Sequence, residues 1–368
     1  MTERPTGKVL RRGWTTGACA TAATKAAWQA LLTGAFPDPV IITLPGGETP
    51  GFALAAERLG DGWAEAAIVK DAGDDPDVTH QALIRSRVRR APAGAGVVFR
   101  AGEGVGMVTR PGLPVPPGEP AINPVPRQMM RDVIAELAAA HDDPGDVEIE
   151  IGVANGAELA QRTWNPRLGI VGGLSILGTT GIVVPYSCSA WIQAIHRGVD
   201  VALAAGLRHV AGCTGATSEA AVRMLYGLPE PAMLDMGDFA GALLKYLRQH
   251  PVERLTIGGG FAKLVKLAQG QMDLHSGRSR VDRAMLAGWL AALGAGDALR
   301  RRAEQANTAL EVLEMAEAAG LGLGDLVAEK AQAAAAAIVS PAEIAIDVVA
   351  VDRTGRIVGR STGGTDGT

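Results

Sequence analysis

HVAGCTGATSEAAVRMLYGLPEPAMLDMGDFAGALLKYLRQHPVERLTIGGGFAKLVKLAQ, residues 209–269, repeats one rhythm three times: a short apolar run, a turn, an amphipathic stretch. His209–Cys213, Ala232–Met236 and Arg254–Ile257 read as strands, and Ser218–Leu225, Asp238–His250 and Ala262–Gln269 as helices. Such alternation joins parallel strands by crossover helices, so this stretch predicts a doubly wound, Rossmann-like α/β domain.

Outward from it, several helices are expected between Val281 and Val339. A hairpin, Ile344–Val351 and Arg356–Gly359, then turns at Arg353-Thr354-Gly355 and is expected to return to the first domain. Upstream, the Ala-rich segment Thr16–Leu32 reads as a helix capped by Thr15 or Thr16 and closed by Gly34 and Pro37. Strand-like runs follow at Val40–Leu44, Gly51–Ala55, Ala64–Val69, Leu83–Arg90, Val97–Arg100 and Gly106–Thr109. A Pro-rich connection (Pro111–Pro126), a helix (Met129–Ala140) and a strand (Val147–Val153) come next. The expected division is an α+β, mixed-sheet, substrate-side domain over 1–205, a cofactor domain over 206–340, and a hairpin over 341–368 packing on the first domain.

The length of 368 residues exceeds what one core usually holds, in keeping with two domains. A net charge of -4 gives no sign of nucleic-acid binding. Cys19, Cys188 and Cys213 are too far apart for a CxxC pair or a zinc cluster, so neither a disulfide scaffold nor a metal site is expected. No apolar run reaches the length of a membrane span and none resembles a secretory signal; a cytoplasmic location is the expectation. Nothing in the composition decides whether the chain forms a homo-oligomer.

Ligands of open α/β sheets bind outside the carboxyl ends of the strands. Thr214-Gly215, Asp235 with Gly237, and Gly258-Gly259 fall there, with Asp235 able to accept hydrogen bonds from a ribose. No GxGxxG joins a strand to a helix, which favours a nucleoside-like ligand over a dinucleotide. The same glycines could equally be ordinary turn residues. Gly102–Gly106 reads as a hairpin turn. Asp71, Asp74, Asp75 and Asp77 crowd one loop after a strand, without the ligand order of a calcium loop. On residue types alone the simpler reading is a solvated turn whose aspartates bond their own backbone; the other makes one of them a general base. Arg85, Arg87 and Arg89 share one strand face by their period of two. Lys70, Arg110, Arg127, Arg167, Lys263 and Lys266 could together clamp a polycarboxylate, although each alone reads as a surface charge. His275 lies in a loop near the α/β crevice, and His80 is a weaker candidate. The chain has no Walker A sequence and no HExxH.

Longer strings go further. GWTTGACA (residues 13–20), KDAGDDPDVTH (70–80), GEGVGMVTRPGL (102–113), EPAINPVPR (119–127), NPRLGIVGGLSILGTTGIV (165–183), KLVKLAQG (263–270) and the pair His275-Ser276 resemble, in order, strings of the CbiD family of corrin-ring biosynthesis. Two positions depart from it: Gly259-Gly260-Phe261-Ala262-Lys263 lacks the histidine of the family's GHIGKLVKLA, and Val184 replaces an acidic residue. The resemblance implies a methyltransferase that carries a methyl from S-adenosyl-L-methionine to C1 of a precorrin-5 macrocycle, a polycarboxylate tetrapyrrole. It turns the strand-end glycines into the expected cofactor site and the basic set into the expected substrate clamp. The enamine-like ring carbon is already nucleophilic, so the protein needs a base only for a ring proton. His275 is the first candidate for that base because an imidazole titrates near working pH, and Asp75 the second. A nicotinamide-dependent oxidoreductase and a non-catalytic corrinoid carrier are the competing functions.

Overall fold

Thr15 opens the first helix, α1 (Thr16–Thr33): its hydroxyl accepts from the Ala18 N–H at 3.2 Å, and Gly34, at φ +82°, closes the other end. In this computed structural model, which describes residues 9–361, the chain is a mixed α/β protein that divides into two units between Cys188 and Ser189.

The first unit carries a five-stranded sheet: β1 (Ala56–Gly60), β2 (Trp63–Val69), β3 (Leu83–Arg90), β4 (Val97–Ala101) and β5 (Val147–Val153), in the order β1-β2-β3-β5-β4. Only the β4–β5 pair is parallel. The small side chains of α1 let it lie close on β2 and β3, where Ile84, Ser86 and Val88 point inward. Buried Thr24 and Ser86 hydroxyls bond each other there at 2.8 Å. The alternate residues Arg85, Arg87 and Arg89 do share the opposite face, but each meets a carboxylate: Glu103 at 3.6 Å, Glu65 at 2.9 Å and Glu148 at 3.5 Å. Solvated pairs of this kind are worth about 0–1 kcal/mol each, so this stripe is a surface lattice.

Some readings differ from expectation. Gly102–Gly106 is not a hairpin turn, because the strand before it pairs with Val147–Val153 and Met107–Val108 after it pairs with Ile170–Val171. β1 is polar and exposed, yet the two-residue loop Asp61-Gly62, with Gly62 at φ +73°, is a strong hairpin signal. The second helix, α2 (Pro124–Ala140), starts before Met129 because proline fits the first turn, where the N–H it lacks would have no partner.

The second unit begins with a helix the patterning did not reveal, α3 (Ser189–Ala204), which packs on elements of its own unit and so sets the boundary before residue 205. Then come β6 (His209–Cys213), α4 (Ala216–Tyr226), β7 (Met233–Asp235), α5 (Ala240–Gln249), β8 (Arg254–Gly260) and α6 (Phe261–Ala268). Three helices between residues 283 and 318 lead to α7 (Leu323–Val339) and to β9 (Ala345–Val351) and β10 (Ile357–Arg360). The strand order is β7-β6-β8-β9-β10, the first four parallel and β10 antiparallel.

The terminal hairpin therefore does not return to the first sheet as expected; it completes the second. β9 is buried on both faces, which suits an interior parallel strand. Asp347 ties it down, with its Oδ1 accepting from Arg254 at 3.1 Å and from the Thr256 hydroxyl at 3.0 Å, and its Oδ2 from Tyr226. Helix α7 crosses the hairpin so closely that a Cβ on Gly324 would lie 1.6 Å from the Val358 carbonyl oxygen.

Candidate active site

Three of the strings singled out in the first unit meet at the start of α1. The Thr15 N–H donates to the Gly181 carbonyl at 3.0 Å, the Gly17 N–H to Leu177 at 2.9 Å, and the Trp14 N–H to Asp71 at 2.7 Å. Gly13 is needed because a Cβ there would sit 2.1 Å from the Ala72 carbonyl carbon. The aspartates of the 71–77 loop consequently have separate duties. Asp71 forms a two-pronged pair with Arg11, and that hydrogen bond, first among its influences, holds its carboxyl down at about 2. Asp74 accepts from the Arg11 N–H at 2.8 Å. Asp77 is the counter-ion of Lys70, whose side chain is only 1% exposed and whose Nζ lies 2.7 Å from it. Burial opposes the Asp77 charge, but Lys70 and the Thr79 donors outweigh it and keep its pKa low.

Asp75 behaves differently. Its Oδ1 accepts from the Tyr186 N–H at 2.7 Å, and burial, reinforced by Asp77, pushes its carboxyl above the ordinary carboxylate value. Of the loop aspartates with a shifted pKa, this is the one moved towards neutral pH. The neighbouring Cys19 thiol is buried and pushed up to about 12, first by desolvation, so it stays protonated.

In the second unit the strand-end residues come together at the carboxyl edge of the sheet. The Thr214 N–H donates to Gly258, the Gly260 N–H to the Thr214 hydroxyl at 3.3 Å, and the Met236 and Gly237 N–H groups both reach the Cys213 carbonyl. The chain leaves β6 for β7 on one side and then passes to β8 on the other, so Thr214 and Gly260 flank the point where strand order reverses. Gly215, at φ +157° and ψ +173°, occupies backbone space almost reserved for glycine, and a Cβ added to it would meet nothing within 4 Å. Asp235 ends β7, its Oδ1 accepting from the Gly237 N–H at 3.2 Å.

Gly258 and Gly259 have another purpose than a turn. They are residues of β8 itself, and the room their missing Cβ atoms leave is filled by Val222 and the Cys213 sulfur, and by Leu264 and Thr214. They allow helices to pack on the strand, and only Gly260 opens on free space.

The expected substrate clamp is largely engaged within the protein. Lys70 is buried on Asp77 and holds its loop. Arg127 donates to the Ile122 and Pro120 carbonyls and to Glu119. Arg110 donates to the Arg167 carbonyl at 3.2 Å, and the Arg167 guanidinium lies 5.3 Å from the Trp164 ring centre. Lys263 bridges the first two strand ends, donating to the Thr214 carbonyl at 3.0 Å and forming an ion pair with Asp238 at 3.0 Å. Buried Lys266 donates to the Leu274 carbonyl at 2.9 Å and anchors the loop that carries His275; desolvation lowers its pKa.

His275 itself is half-buried, and its Nδ1 accepts from the Gly277 N–H at 3.1 Å. A neutral ring in that arrangement keeps its proton on Nε2, so it offers a donor to a ligand and no lone pair to a departing proton. Residues that sequence reasoning passed over include Arg11, Tyr186 and Trp191, whose indole N–H donates to the Asp235 carbonyl at 3.1 Å. None of them stands in a pattern that announces a partner far along the chain.

The CbiD family model matches residues 3–185, and the model of the CbiD C-terminal domain matches residues 273–362. A cobalt-precorrin-5B C(1)-methyltransferase of Paramagnetospirillum magneticum is 63% identical over 352 residues, covering 96% of this chain and 98% of the relative. That of Rhodospirillum rubrum is 61% identical, covering 98% of this chain and 99% of its own. That of Brucella anthropi is 61% identical, covering 95% of each. A solved structure, the cobalamin biosynthesis protein (cbiD) from Archaeoglobus fulgidus, aligns at 27% identity over 73% of this chain and 83% of that one, with a TM-score of 0.41.

Proposed function

Because this chain belongs to the CbiD family, we infer that it methylates C1 of cobalt-precorrin-5B in cobalamin biosynthesis. The observation that carries the reading is near-full-length identity of 58–63% to relatives of that name. Among the described residues no helix is long and apolar enough to cross a membrane, and a cytoplasmic place suits such a biosynthetic step.

We further propose S-adenosyl-L-methionine as the methyl donor, held by the second unit as a Rossmann-like cofactor domain. The fit rests on the switch-point geometry: open space above Gly215 and Gly260, and a carboxylate at Asp235 one strand away. The donor supplies a methyl on a sulfonium centre. Thr214, Gly215 and Gly260 would line its adenosyl side, Asp235 and Gly237 its ribose, and Lys263 would fix the two turns relative to each other. The chain's remaining duty is to hold the ring carbon in line with the methyl in a dry pocket and to accept a ring proton. In the first unit we assign that proton to Asp75; in the second, His275 offers a donor to the methyl donor's site.

Asp235→Ala is expected to weaken S-adenosylhomocysteine binding about tenfold, or about 1.4 kcal/mol, with the thermal midpoint little changed. Isothermal calorimetry on the full chain reads it, and unchanged affinity sinks the ribose placement. Calorimetry on the wild type also separates the competing functions, since neither a corrinoid carrier nor a nicotinamide enzyme needs this ligand. Gain of one methyl group by cobalt-precorrin-5B, followed by mass spectrometry, tests the activity directly.

A further inference from the structure

Positive charge gathers at the carboxyl edge of the second sheet. Helix α6 starts directly after β8, and its cap is Gly260, which offers no side chain to the first turn. That turn holds no acidic residue, and its third position is Lys263. A helix N-terminus already carries about half a positive charge and favours anions, so a lysine there adds like charge to like. Lys266 follows on the same helix, only 7% exposed. Its pKa is lowered first by burial and further by Lys263, against the opposing pull of Asp238 and Asp273.

Two carboxylates stand against this charge. Asp273 is paired with Arg278, which leaves Asp238 to serve both lysines. Asp238 follows Gly237, and its Oδ1 lies 3.0 Å from the Lys263 Nζ, buried and without a hydrogen bond among the described residues. The Lys263 ammonium has three N–H groups; one donates to the Thr214 carbonyl, and the side chain stays 36% exposed. Two lysines and a helix N-terminus thus share one carboxylate, beside the open space above Gly260. The loop that carries His275 is pinned to the same cluster. The Leu274 N–H donates to the Asp238 carbonyl at 2.8 Å, and the Leu274 carbonyl accepts from Lys266.

We propose that Lys263 seats the α-carboxylate of the methyl donor's amino-acid tail and so selects a nucleoside that carries this group. The assignment rests on the methyl-donor reading above, which puts the ribose at Asp235 and Gly237. A tail leaving the ribose past Gly237 meets the next residue, Asp238, and with it the Lys263 ammonium. A carboxylate there supplies the negative charge that the cluster lacks and accepts an N–H that Lys263 does not use internally. Asp238 and the Thr214 carbonyl hold the long lysine side chain in place beforehand, so less rotamer freedom is lost on binding.

Calorimetry on the full chain tests this with two ligands: S-adenosylhomocysteine and its decarboxylated form, which keeps the adenosine, the sulfur and the amino group. The wild type should prefer the first about tenfold, as one charge-assisted hydrogen bond allows. Lys263→Gln keeps a donor for the Thr214 carbonyl but drops the charge. It should lose that tenfold for S-adenosylhomocysteine and bind the decarboxylated form no more weakly than the wild type does. A purely structural lysine would cost both ligands alike. Equal losses in Lys263→Gln, or a wild type without preference between the two, overturn the assignment and leave the methyl-donor site standing. A wild type that binds neither ligand removes the methyl-donor site itself, and the assignment with it.

Discussion

Asp75→Asn should slow methyl transfer about 10²–10⁴-fold, the usual worth of a positioned general base, while leaving S-adenosylhomocysteine affinity unchanged. Asparagine keeps an oxygen for the Tyr186 N–H and nearly the same shape, so the loop should hold its course. What it loses is the capacity to take a proton. Burial raises the Asp75 pKa above its ordinary 3.8, moving the carboxylate towards the range in which a base works well. The sign for the pH profile follows. The group is active when deprotonated, so turnover should climb as pH rises through this elevated pKa, and Asp75→Asn should abolish that limb. A loss of only a few-fold, with the limb still present, would remove Asp75 from proton transfer and return His275 to consideration.

Asp77→Ala should destabilise the first unit by about 3–5 kcal/mol, the range for removing one partner of a buried ion pair. Lys70 is 1% exposed and would be left charged without a counter-ion. The effect should be asymmetric. Lys70→Met removes the buried charge and leaves a carboxylate that is 25% exposed and still accepts from Thr79, so its cost should be smaller. Urea unfolding of the two variants reads the difference, and equal losses would contradict this account of the pair. Because the folded-state pKa of Asp77 is lowered, its contribution is present above the ordinary carboxyl pKa and disappears as pH falls through the depressed value. Wild type should therefore lose stability at acid pH by a step that Asp77→Ala lacks.

The alternation in residues 209–269 was legible because each apolar run is bounded by glycine or proline, and the strands and helices stand within a few residues of their expected places. The meeting of Thr214 with Gly260 follows from that topology, which is why the strand-end residues could be found without coordinates. The partner of the 345–351 strand could not be read. Pairing is a tertiary choice, and an apolar strand looks alike whichever sheet it joins. The internal partners of the basic residues could not be read for a related reason. A lysine in a sequence looks like a free cation, and only the fold shows that Lys70 and Lys266 are buried on an acceptor.

The late place of β9 in the chain bears on how the protein is made. The first unit has the five strands of its main sheet by Val153. In the second, β8 waits for β9, and the Thr256–Asp347 contact alone spans 91 residues. At about 5–20 residues per second, β8 must stay an open parallel edge for several seconds on the ribosome, with Leu255 and Ile257 on a strand that is finally buried. Ribosome-bound chains stalled before residue 345 should accordingly recruit chaperones that released full-length chains do not. The second unit should also refold more slowly than its local helices allow, because its central pairing joins distant residues.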